Sequence, residues 1–143
     1  LIKSGIEPNP TADQEEHTFT YALYPHAEGW RQANTVQEAM KLNQPLLSED
    51  GGHAGCQNSF VWVDKSNVII ETVKMAEDDD GIIVRLYESE NVKTKAHIFF
   101  GEKISSVESC NCLEEIKQTI ETDGEGFEIT VKPYEIQTYR VRF

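Results

Sequence analysis

The stretch Asp78-Asp79-Asp80-Gly81-Ile82-Ile83-Val84-Arg85-Leu86-Tyr87-Glu88 decides how this 143-residue chain is to be read. Its first four residues are a turn signal, because aspartate side chains bond nearby backbone and glycine supplies positive φ. The next seven alternate: Ile82, Val84 and Leu86 share one face, Ile83, Arg85 and Tyr87 the other, which is the period-2 signature of a strand. Upstream, residues 68–76 carry Val68, Ile69, Ile70, Thr72 and Val73 and predict a strand on the other side of the turn. Residues 60–63, 96–100, 104–109, 127–132 and 136–143 are further short candidates. Short strands separated by turns predict a mostly all-β chain whose main body is an antiparallel β-sandwich over residues 59–143.

The first part of the chain reads differently. After a polar loop with Pro8 and Pro10, residues 17–24 (HTFTYALY) predict a strand with Phe19, Tyr21 and Leu23 on one face, ended by Pro25. Residues 28–43 predict the one helix, since Trp30, Ala33, Val36 or Gln37, Met40 and Leu42 approximate a 3.6-residue stripe. Asn43-Gln44-Pro45 stops it, because a residue before proline is pushed out of the helical region. Residues 48–58 (SEDGGHAGCQN) hold three glycines and no periodicity, so a linker is expected over 51–58 between a segment 1–50 and the sandwich.

Charge excludes whole classes of partner. With 13 Lys+Arg against 25 Asp+Glu the net charge is −12, which repels nucleic acid and anionic membrane surfaces. The densest cationic pair, Arg140 and Arg142, sits in an apolar run. No window approaches the ~20 apolar residues of a membrane span, and residues 1–10 lack the apolar core of a secretory signal. Three cysteines make a poor disulfide framework and fit a reducing compartment. The chain opens on Leu1 rather than Met, which reads as a piece of a larger polypeptide.

Three constellations could carry chemistry. Glu77 with Asp78, Asp79 and Asp80 crowds hard oxygen ligands, but an EF-hand needs spaced ligands and a distal glutamate, so a solvated hairpin tip is favoured. Cys110-Asn111-Cys112, with Cys56 and His53, lacks the spacing and second ligand pair of a structural zinc site, and small semi-buried side chains are favoured. The Tyr24-Pro25-His26 junction, with His17, Trp30 and Arg31 nearby, offers an imidazole that titrates near neutrality and aromatic faces for a sugar; the alternative is a strand-end histidine bonded to backbone. Arg85 and Glu88 read as an ion pair, buried or superficial. No nucleophile elbow or H-E-x-x-H motif is present, and nothing selects a glycosidase carboxylate pair from the 25 acids.

The block His17-Thr18-Phe19-Thr20-Tyr21-Ala22-Leu23-Tyr24-Pro25-His26 resembles the C-terminal region of glycoside hydrolase family 38 α-mannosidases. The likeness continues in the family's order through Gly29-Trp30, AMKLNQPLL (39–47), Ser59-Phe60, NVIIETVKMAE (67–77), IVRLYE (83–88), Cys112-Leu113-Glu114 and Pro133-Tyr134-Glu135-Ile136-Gln137-Thr138. Thr18, where the family more often has an acid, the 48–58 loop and Cys-Asn-Cys depart from it. The resemblance implies a large, zinc-dependent, retaining exo-α-mannosidase, in which one carboxylate attacks the anomeric carbon, a second protonates the leaving oxygen and zinc holds sugar hydroxyls. The family places zinc ligands and nucleophile in an N-terminal α/β domain with no counterpart in these residues, so no catalytic or metal role is carried onto them.

By the same resemblance, residues 1–50 are the tail of a large β-supersandwich and residues 59–143 a terminal, immunoglobulin-like sandwich. The isolated chain is then expected to be inactive, without cofactor of its own, and cytoplasmic like the cytosolic and bacterial branch. Its partners would be mannose-containing oligosaccharide through the parent enzyme, the remaining domains of that polypeptide, or a second copy covering the strand edge and helix face. Tyr24 and His26 are the candidates for the substrate rim. The competing function is an autonomous carbohydrate-binding sandwich using exposed aromatics such as Trp62, Tyr87 or Tyr134.

Overall fold

Alternation along residues 82–88 becomes a hairpin and then a sheet. A computed structural model describes residue 5 and residues 7–44, 46–48 and 59–143. The elements are α1 (Thr35–Asn43), β1 (Val61–Val63), β2 (Val68–Met75), β3 (Ile82–Glu88), β4 (Thr94–Phe100), β5 (Ser106–Cys110), β6 (Ile116–Ile120), β7 (Gly126–Val131) and β8 (Ile136–Arg142). All pairings are antiparallel, in a three-stranded sheet β1-β4-β7 and a five-stranded sheet β2-β3-β8-β5-β6. This is the sandwich that the alternating runs predict. The expected linker 51–58 lies outside the described residues.

The chain divides into two units, residues 1–35 and 36–143. In the first, residues 17–24 join no ladder among the described residues, so the expected strand does not form. Its alternating face is intact but uncovered: Phe19, Tyr21 and Leu23 are all exposed. A strand needs a neighbour for its backbone groups, and none is supplied among the described residues of this unit. The helix also starts later than residue 28. Asn34 N–H donates to Arg31 O and Thr35 N–H to Trp30 O, with Asn34 at φ 51°. This is a Schellman stop, so the first helical turn ends at Asn34 and α1 begins afresh at Thr35.

In the sandwich, inward-facing residues of both sheets form one core. Val84 and Leu86, Tyr139 and Val141, and Val107 come from the five-stranded sheet; Ile98, Phe100, Phe127, Ile129 and Val131 meet them from the other. Each fully buried aliphatic or aromatic side chain contributes about 1.5–3 kcal/mol of transfer free energy. Strand β6 was not predicted. Its residues are mostly exposed and only Ile120 packs against the core, so the edge strand carries almost no apolar signal.

The outer face of the five-stranded sheet explains the acidic turn. Gly81 has φ 96°, and a Cβ there would stand 2.6 Å from Val141 O, so only glycine fits. Arg140 donates to Asp78 Oδ2 (2.7 Å), and Arg142 to Asp80 (2.8 Å) and to Glu108 (2.6 Å). The carboxylates of Asp78 and Asp80 are thereby engaged by the two arginines of β8. Arg85 and Glu88 do not pair. Three apart on a strand they face opposite sides, and Arg85 donates instead to Thr138 Oγ1 (3.1 Å) and Cys112 O (3.3 Å).

Glu88 turns inward and is fully buried at the end of the core. Its carboxylate accepts from Asn67 Nδ2 (2.9 Å), Glu90 N–H (2.7 Å) and Tyr134 N–H (3.1 Å). Burial alone would raise its pKa; these donors outweigh burial and hold it below the ordinary range. Glu88→Gln replaces a charged acceptor by an amide that turns N–H groups toward N–H groups. Urea denaturation is expected to show a loss of about 2 kcal/mol, with Glu88→Ala costing at least as much.

Candidate functional site: an aromatic row on the three-stranded sheet

The solvent side of the three-stranded sheet is built by register. Trp62 of β1 pairs with Phe99 of β4, and His97 follows two residues back on the same face. The Trp62 and Phe99 rings stack at 11° with centroids 5.5 Å apart, and the imidazole of His97 lies 4.3 Å from the Phe99 ring. Three rings thus run in a row across the sheet, with Trp62 the most exposed.

Polar groups border the row. His97 N–H donates to Asp64 Oδ1 (2.8 Å), and Asp64 N–H returns a bond to His97 O (3.2 Å), which locks β1 against β4. The His97 N–H, helped by Lys65, holds the Asp64 carboxyl below the usual range. Asp123 Oδ1 accepts from Glu125 N–H (2.9 Å) and Gly126 N–H (2.8 Å), and these bonds lower its pKa too. His97 Nε2 lies 3.7 Å from Asp123 Oδ2, too far for a hydrogen bond, and rests over Gly126. A Cβ at Gly126 would stand 2.6 Å from that nitrogen, so the absent side chain makes room for the imidazole. Lys95 and Glu128 pair at 2.8 Å beside it.

Two concavities flank the row. One of about 540 Å³ is lined by His97, Thr119, Thr122, Asp123, Phe127 and Glu128. A smaller cleft of about 180 Å³ lies at the other end, between Trp62, Phe99, Glu102, Lys103 and Glu125. The arrangement offers apolar ring faces surrounded by hydrogen-bonding groups. It contains no activated serine or cysteine nucleophile, and among the described residues no three His, Cys, Asp or Glu side chains converge to hold a metal ion.

The residues singled out from sequence scatter. Tyr24 and His26 lie together in the first unit, ring centroids 5.7 Å apart. Tyr24 Oη donates to Ala33 O (3.0 Å), and His26 Nδ1 lies 2.5 Å from Glu28 O, the backbone-bonded arrangement weighed against a functional one. Trp30 stacks under the Arg31 guanidinium at 4.9 Å. Trp62, Tyr87 and Tyr134 do not meet: Tyr87 faces outward on β3 and Tyr134 is exposed in the β7–β8 turn. Cys110 is buried beside Ala76 and Ile83, where burial pushes its thiol pKa up, and Cys112 is exposed. Cys56 and His53 lie outside the described residues. His97 was not foreseen. A His and a Phe two apart in one strand announce a shared face, but the partner Trp62 enters only through non-local pairing.

The lowered carboxylates give the chain a defined acid response. Asp64, Asp78, Asp80, Glu88, Glu114 and Asp123 all titrate lower folded than unfolded. Their stabilisation is complete above the ordinary carboxylate range and is lost as pH falls through the folded values. Thermal melts are expected to hold steady from neutrality to about pH 5 and to drop steeply below about pH 4; a melting temperature that rises on acidification contradicts the assignment.

Comparison with known proteins gives a consistent picture. Residues 67–139 match the model of the glycosyl hydrolases family 38 C-terminal beta sandwich domain. The chain is 30% identical to alpha-mannosidase G of Dictyostelium discoideum, over 98% of this chain and 14% of that protein. It is 31% identical to alpha-mannosidase 2C1 of Homo sapiens, over 80% of this chain and 11% of that protein, and 27% identical to the Mus musculus protein of the same name, over 96% and 14%. The chain therefore spans only a small part of the length of these relatives.

Proposed function

Because the chain belongs to glycosyl hydrolase family 38, through that family's C-terminal β-sandwich domain, we infer that it is the non-catalytic C-terminal part of a zinc-dependent, retaining α-mannosidase. The observation that carries this reading is the coincidence of the matched residues 67–139 with the body of the sandwich, together with relatives named alpha-mannosidase along nearly the whole chain. The substrate is terminal α-D-mannose on an oligosaccharide. Zinc and both carboxylates of the retaining mechanism are assigned to the parent's catalytic domain on the family resemblance of this chain. No step through zinc is assigned to the described residues.

On this reading the uncovered alternation of Phe19, Tyr21 and Leu23 is met by the remaining domains of the same polypeptide. Tyr24 and His26 are the residues of this chain assigned to the substrate rim. We assign the enzyme to the cytoplasm; the likeness of residues 17–26 to the cytosolic and bacterial branch supports this reading, as does a cysteine count of three, a poor disulfide framework.

The test compares the protein expressed from the complete parent reading frame with residues 1–143 alone on an aryl α-mannoside. The parent is expected to hydrolyse it, to lose activity when stripped of metal, to regain it with zinc, and to release α-mannose first by proton NMR. Initial release of the β-anomer, or indifference to metal stripping, refutes the corresponding part. Turnover by residues 1–143 alone refutes the non-catalytic assignment.

A further inference from the structure

We propose that Trp62 and Phe99 form a stacking site for one neutral pyranose ring, an α-mannoside unit of a glycan, seated in the cleft between these rings and Glu102, Lys103 and Glu125. The choice of mannose rests on the α-mannosidase reading; the stacking does not.

The rings supply an apolar platform. Trp62 keeps 42% of its surface exposed although it stands on a β-sheet face, and Phe99 stands beside it on the neighbouring strand with its ring nearly parallel. A pyranose has one face of C–H groups and a periphery of hydroxyls, so it needs ring faces beneath and hydrogen-bonding groups around them. The cleft provides both, with exposed Glu102, Lys103 and Glu125 at its border. Its volume of about 180 Å³ suits a single ring better than a large ligand. At the border of the cleft, Gly101 lets two backbone segments approach closely. A Cβ there would come within 2.9 Å of Ser59 O, and Gly101 N–H donates to Phe60 O (2.9 Å), so the chain turns tightly beneath the Trp62 strand.

Other occupants fit less well. A nucleobase would also stack, but its phosphates would meet two carboxylates on a chain of net charge −12. A packed protein interface is depleted of Lys, Glu and Asp at its core, whereas here charged side chains stand directly beside the exposed indole. A hydroxyl-rich, uncharged ligand satisfies the rings and the border together.

The experiment is a ¹⁵N–¹H NMR titration of residues 1–143 with methyl α-D-mannopyranoside, α-mannobiose, methyl α-D-galactopyranoside and maltose. Binding at millimolar sugar is expected to shift the Trp62 indole N–H and the amides of Phe99, Glu102, Lys103 and Glu125, leaving the buried amides of Val84 and Leu86 in place as an internal control. Trp62→Ala is expected to weaken the affinity by about tenfold or more, and Trp62→Phe to lose less, each with otherwise unchanged amide dispersion. If no sugar moves the Trp62 indole, or if Trp62→Ala leaves the shifts intact, the proposal falls while the mannosidase reading stands on its own assay. If glucosides or galactosides bind and mannosides do not, the stacking site stands and its link to the mannosidase reading falls.

Discussion

The carboxylate of Glu88 is the constraint on which the sandwich turns. It is a full negative charge with no solvent contact, and such a group persists only if its lone pairs are met by donors. The donors come from three places far apart in sequence: Asn67 at the entry to β2, Glu90 after β3, and Tyr134 in the β7–β8 turn. Tyr134 has φ 56°, a left-handed conformation that a tyrosine adopts reluctantly, and its N–H is spent on Glu88. Asn67 also donates to Thr94 Oγ1 (2.7 Å), at the start of β4. One buried group therefore fixes the five-stranded sheet at two points and ties it to the three-stranded sheet. The blocks 67–77, 83–88 and 133–138, which carried the resemblance as separate pieces of text, meet at this carboxylate.

How much was legible in the sequence follows from where each signal lives. The β2–β3 hairpin was readable because its alternation, turn residues and glycine are contiguous. The role of Arg140 and Arg142 was not, because Asp78 and Asp80 each lie 62 positions from their arginine and Glu108 lies 34 from Arg142, all brought together only by the pairing of β8 with β3 and β5. The same distance hid the fate of Arg85 and Glu88: adjacency in text suggested a pair, while strand parity sends them to opposite faces. β6 was missed because an edge strand facing water needs few apolar residues. The helix was misplaced by seven residues because its stripe continues through a Schellman stop that depends on the backbone of Asn34 rather than on hydrophobicity.

The candidate site was legible only in part. Trp62 stood out as an aromatic, but its stacking on Phe99 and the adjacency of His97 arise from the pairing of β1 with β4. Gly126 illustrates a different kind of silence. It is conspicuous only once the imidazole above it and the Ile98 carbonyl beside it are seen to leave no volume for a Cβ. In the first unit the difficulty is reversed. The sequence carries a clear strand pattern over residues 17–24, and what is missing is a neighbour to complete it, so the pattern describes a pairing that these residues cannot make alone.

The order β2-β3-β8-β5-β6 puts β8, which follows the other four strands of that sheet in the chain, at the centre of the larger sheet. Before it arrives, β2-β3 and β5-β6 are two separate hairpins with unpaired inner edges, each marginal in water. On the ribosome, the sheet cannot close until Arg142 has cleared the exit tunnel. The five-stranded sheet is thus completed only when β8 is available, and the inner edges of β3 and β5 stay unpaired until then.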